Sequence, residues 1–108
     1  MKVLAYAGSE FLTGDAITTA LLDYSAALAD AGTAGSVEIP VVTRDGHRRT
    51  ATFLVGPASQ IVAIETETSG EELVDDETVE RLTHLTRRLH PFASPAEEGA
   101  PYAEEYDQ

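Results

Sequence analysis

The apolar residues change their period partway along the chain, and that change limits the possible folds more than any other feature. Ile17, Ala20, Leu21, Tyr24, Leu28 and Ala31 recur at the spacing of one helix face. From Ser36 onward the period is two, with Val37, Ile39 and Val41 alternating with Glu38, Pro40 and Val42. A helix followed at once by alternating strands, in 108 residues of which 43% are hydrophobic, specifies one small α+β domain with a single core.

Asp15 reads as the N-cap of this helix and Gly32 as its stop, so it should run to about Ala31. Before it, residues 2–7 read as a short strand, with Val3 and Ala5 on one side and Leu4 and Tyr6 on the other, and residues 8–14 read as a loop. After it, Arg44-Asp45-Gly46-His47 forms a hairpin turn into a return strand over residues 48–55. Gly56-Pro57-Ala58-Ser59 then turns into a strand over residues 60–66. Residues 61–64 are apolar on both alternating faces, which predicts a central or doubly covered strand. Pro40 cannot donate to a ladder, which puts its own strand at an edge or beside a bulge.

A last helix, capped by Asp75 or Asp76 and ending near His90 ahead of Pro91, carries an apolar stripe of Val79, Leu82, Leu85, Thr86 and Leu89. Glu77 with Arg81, and Glu80 with His84, are spaced as i,i+4 pairs. The expected order is β-α-β-β-β-α: a small three- to four-stranded, mainly antiparallel sheet with two helices packed on it. With four strands the first helix can act as a crossover that sets the first strand parallel to a neighbour; with three, the sheet is antiparallel and the N-terminus leads directly into the first helix. Residues 1–90 should form the single domain, and 91–108 a flexible acidic tail rich in Pro, Ala and Glu.

Leu22, Ala26 and Ala29 form a second apolar row on the first helix, roughly opposite the main stripe. A helix apolar on two sides is covered on two sides, here by the sheet and by another helix or another subunit, unless the alanines are simply helix formers on a wet surface.

Net charge is -12, and all seven basic residues precede residue 90. Glu65, Glu67, Glu71, Glu72, Asp75, Asp76, Glu77 and Glu80 follow one another with no Lys or Arg between them. Mutual repulsion directs these side chains toward water, counterions or a basic partner. The same balance opposes nucleic acid and anionic membranes, since phosphate contacts need a positive surface. No run of apolar residues is long enough to span a bilayer, and the N-terminus lacks a basic region followed by an apolar segment, so a cytoplasmic protein is the default expectation. There is no cysteine, which excludes disulfides and thiolate chemistry.

No catalytic constellation stands out. The glycines at 8 and 14 lack the lysine of a phosphate-binding loop and are flanked by Glu10 and Asp15. His84 and His90 are six residues apart and point to different sides of a helix, and the acidic stretch lacks the glycine of a calcium loop, so neither a metal nor a cofactor is expected. Ser59 follows Gly56-Pro57-Ala58 without the spacing of a nucleophile turn. The reading favoured is a noncatalytic protein–protein interaction module, homodimeric, with a basic protein as further partner. Its contact residues would be Leu22, Ala26, Ala29, Glu71, Glu72, Asp75 and Asp76. The alternative is a small dimeric enzyme or ligand-binding protein whose pocket forms at the subunit seam from Tyr6, Ser9, Tyr24, His47 and Arg49.

Overall fold

The computed structural model describes residues 1–67 and 70–89. His90 and the tail 91–108 lie outside them. The order is β1 (Lys2–Tyr6), β2 (Ser9–Thr13), α1 (Asp15–Ala31), β3 (Gly35–Val42), β4 (Arg48–Val55), β5 (Ile61–Glu65) and α2 (Asp76–Leu89). The strands form one five-stranded sheet in the order β4-β3-β2-β1-β5. Every pairing is antiparallel, so no strand is set parallel by a crossover.

The expected loop at residues 8–14 is instead the strand β2. Ala7 and Gly8, at φ 53° and 83°, form a two-residue turn of the primed type, which matches the twist of the strands it joins. Tyr6 is therefore paired directly with Ser9. Five residues flanked by glycines looked like a connection, but Phe11 and Thr13 fall on the core side of this hairpin while Glu10 and Leu12 fall on the other.

Both helices lie on one face of the sheet. Leu4, Val37, Ile39, Val41, Phe53 and Val55 from the strands meet Ile17, Leu21, Tyr24 and Leu28 of α1 and Leu82 of α2 in one buried cluster. α1 and α2 pack along each other. Tyr6 and Phe53 lie on strands three steps apart, about 14 Å in a flat sheet, yet their rings are 5.3 Å apart. The sheet is accordingly curled around the core.

α1 ends where expected: Gly32 adopts a left-handed conformation, with its N–H on the Ala29 carbonyl and that of Thr33 on Leu28. Its start differs. The N-cap is Gly14, not Asp15, and no side chain of its own caps it. A Cβ at Gly14 would lie 1.9 Å from the Leu73 carbonyl oxygen, so only glycine lets the 72–73 segment cross over the helix start. At α2, Asp75 is the cap, accepting from the Thr78 N–H at 3.2 Å. The stripe on α2 is as expected, with Leu82 fully buried and Val79, Leu85 and Leu89 half-buried against the core; Thr78 is buried as well.

β5 is an end strand of the sheet, not a central one. Its two apolar faces have separate causes. Ile61 and Ala63 pack on the core, whereas Val62 and Ile64 are half-exposed on the opposite face. Pro40 sits on β3 where β2 pairs only at Leu12↔Val42. Its carbonyl accepts from the Thr13 hydroxyl at 2.8 Å, so its missing N–H lies on the β2 side and the β4 ladder is intact.

Candidate interaction surface

The acidic stretch divides into carboxylates the fold uses and carboxylates it leaves free. Glu72 accepts from the Met1 amino group at 2.6 Å and from the Asp15 backbone N–H at 2.6 Å. It thereby serves as the acceptor that α1 lacks locally, 57 residues from the helix it caps. The Met1 amine also lies 3.0 Å from Asp15, which the Lys2 ammonium approaches at 3.5 Å. Hydrogen bonding to Glu72, then to Asp15, raises the amine above its ordinary pKa. The amine in turn holds the Glu72 and Asp15 carboxyls below theirs. The helix start between Gly8 and Asp15 is thus filled by a carboxylate of the same chain.

Asp75 is also committed. Its carboxylate caps α2 and lies 3.8 Å from the Arg48 guanidinium, and the bond from Thr78 keeps its pKa low. Glu71, Asp76, Glu77 and Glu80 are exposed, and none forms an ion pair among the described residues. The spacing of Glu77 with Arg81 and of Glu80 with His84 does not produce ion pairs: Arg81 instead donates to the Glu38 carbonyl at 2.6 Å, and His84 is exposed. Of the four acids singled out in the sequence, Glu72 and Asp75 are structural, and Glu71 and Asp76 face water.

On α1 the buried arc spans half the helix, from Ala27 and Ala20 through Leu21 to Thr18, because the sheet and α2 both cover it. Leu22 lies half-buried at its margin, and Ala26 and Ala29 are exposed.

The residues proposed for a seam pocket do not converge. Tyr24 is in the core, its hydroxyl so close to Gly35 that a Cβ there would meet it at 2.6 Å. Tyr6 lies near the end of β4, where its hydroxyl donates to the Leu54 carbonyl, and Ser59 accepts from the Gly56 N–H at 2.9 Å. These hydroxyls edge a shallow groove of about 660 Å³ and are spent on backbone. His47 and Arg49 lie at the opposite end of β4 from Leu54, with His47 held against Asp45 at 2.9 Å. There Asp45 orders the turn, accepting from Thr43, and that bond and those from His47 lower its pKa. A second, polar hollow between β3, β4 and α2 contains Arg48, Arg49 and Arg81 beside Glu38, Asp75 and Glu77, so its charges balance. Among the described residues no cluster of His, Asp or Glu is arranged to hold a metal ion, and no helix is long and apolar enough to cross a membrane.

The face of the sheet turned away from the helices carries two cross-strand rows. Leu12, Val3 and Ile64 form one, and Glu10, Ala5 and Val62 the other. Val62 and Ile64 are 54% and 50% exposed. Glu10 is the only charged residue in these rows, on a chain of net charge -12. Residues 61–64 have the same pattern whether their second face is covered or open, so the sequence alone does not reveal this face. No family model, no curated protein and no solved structure matches the chain.

Proposed function

We propose that the protein is a noncatalytic interaction module, a homodimer that engages a basic protein through its acidic surface. The observation that carries this reading is the division within the acidic stretch. Glu72 and Asp75 are used inside the fold, while Glu71, Asp76, Glu77 and Glu80 stay exposed along one segment with no ion pair among the described residues. Such a run attracts a basic surface at long range and sets the orientation of the encounter. Leu22, Ala26 and Ala29 present only a narrow apolar strip, which adds little contact area.

The test is affinity capture with the full chain and with a variant carrying Glu71→Gln, Asp76→Asn, Glu77→Gln and Glu80→Gln. Glu72 and Asp75 are kept, so the fold is not the variable. A basic protein retained by the native chain, and lost with the variant or in high salt, is the expected result. Capture of the same proteins by both chains would remove the acidic surface from the account.

A further inference from the structure

The outer edge of β5 is one of the two free edges of the sheet among the described residues, and its backbone geometry can be read from the β1–β2 turn. In a two-residue hairpin the residues flanking the turn exchange both backbone hydrogen bonds. Tyr6 and Ser9 are such a pair, so Lys2, Leu4 and Tyr6 direct their N–H and C=O groups toward β2. Val3 and Ala5 direct theirs toward β5, where their partners are Ile64 and Val62. The alternate residues of β5, Ile61, Ala63 and Glu65, therefore turn their backbone groups outward, and no other strand of the described residues pairs with them. Strand edges are normally guarded by lysine, proline, a bulge or a covering element. The segment Ile-Val-Ala-Ile-Glu contains no lysine or proline and pairs in unbroken register with β1.

We infer that β5 pairs antiparallel with β5 of a second copy about a two-fold axis at Ala63, joining two five-stranded sheets into one. The sequence is self-complementary in this register. Val62 faces Ile64 of the other copy, twice, forming β-branched pairs of the kind that stabilise sheets. Glu65 faces Ile61, and the two Glu65 residues are about 14 Å apart along the strands, beyond the Debye length of about 8 Å at physiological salt. On the outer face the row Leu12–Val3–Ile64 continues into Val62–Ala5–Glu10 of the second copy, so the apolar patches merge and both Glu10 residues stay at the far ends. Two chains of charge -12 thus meet along a line with no carboxylate opposed to another. The inference rests on the homodimeric part of the proposed function and gives that dimer a seam other than α1. The interface is short, of the size of a transient complex, so assembly should depend on concentration.

Sedimentation equilibrium of the full chain, from about 1 to about 500 µM, tests it. The native chain should approach twice the monomer mass. Ala63→Pro removes an outward N–H and leaves the β1 ladder whole, so it should remain monomeric with unchanged circular dichroism. Two further variants on exposed positions carry the test even if that proline disturbs the strand. V62E/I64E and V62K/I64K should each be monomeric, and an equimolar mixture should recover the doubled mass, because each glutamate then faces a lysine. A native chain that stays monomeric overturns both the seam and the homodimer. A native dimer that persists in folded V62E/I64E and V62K/I64K overturns the seam alone and leaves the dimer to be sought elsewhere. Capture of a basic partner is measured separately and depends on neither result.

Discussion

Besides the outer side of β4, two margins of this sheet lack a full neighbouring strand, the β2-facing side of β3 and the outer side of β5, and the protein treats these two in opposite ways. Along β3, on the side away from β4, β2 pairs only at Val42. The rest of that margin is closed from within: proline removes the N–H of residue 40, the Thr13 hydroxyl takes the Pro40 carbonyl, and Arg81 of α2 takes the Glu38 carbonyl. Along β5 nothing comparable happens among the described residues, and Val62 and Ile64 stand beside it half-exposed. The difference indicates that an open margin is not forced on a domain of this size. At β3 the chain closes the margin with a proline, a buried threonine and a helix, and at β5 it leaves both the margin open and the neighbouring face apolar.

The comparison can be broken at several points. The largest effect is expected from Leu82→Ala, which empties a fully buried site in the helix that delivers Arg81. A loss of about 2–5 kcal/mol is expected in denaturant unfolding. Before global unfolding, amide exchange should quicken around Glu38 but not in β5. Thr13→Val keeps the shape and removes the donor to Pro40. It should cost about 1–3 kcal/mol, because Thr13 is fully buried and no water replaces the lost bond. A smaller change of opposite sign is expected at the turn holding β1 between β2 and β5. Ala7 has a positive φ that suits glycine, so Ala7→Gly should raise stability by about 0.5–1 kcal/mol.

The last and smallest effect concerns pH. Glu72 and Asp15 have lowered pKa values in the folded chain, so the unfolded chain takes up protons first as pH falls, and their contribution is lost as acid titrates them. The Met1 amine has a raised pKa, so its contribution is complete below its ordinary value near 8.0 and is lost as pH rises through the raised one. Melting temperature should therefore be flat between these limits and fall on both sides. In Glu72→Gln the alkaline fall should shrink, and the acid fall should persist in part through Asp45 and Asp75. An alkaline limb unchanged by Glu72→Gln would mean that the amine owes nothing to that carboxylate.

What the sequence made legible followed from strong local signals. The period-3.6 stripe and Gly32 located α1, the alternation at Val37, Ile39 and Val41 located the core face of β3, and Asp-Gly located the hairpin. What it concealed depends on contacts distant in sequence. β2 is short, begins with two polar residues and is identified by its partner β1, not by its own pattern. The edge position of β5 could not be read from a run of residues apolar on both faces, since a covered face and an open one look alike before the sheet order is known. For the acidic stretch, repulsion between neighbours was the visible term. The helix start that recruits Asp75 was visible as a cap, whereas the bonds that recruit Glu72 were not, because an amino group and a helix start far along the chain leave no charge pattern to find.

The cap on α1 also governs when that helix can be completed. Residues 15–31 emerge from a ribosome long before residue 72, and until then the first turn of the helix has no carboxylate over its N–H groups, and Gly14 has no 72–73 segment to accommodate. The first turn of α1 therefore lacks its carboxylate acceptor until the acidic linker has been made and has folded back across it. A glutamate in what the sequence alone presents as a solvated linker thus completes the start of a helix made much earlier in the chain.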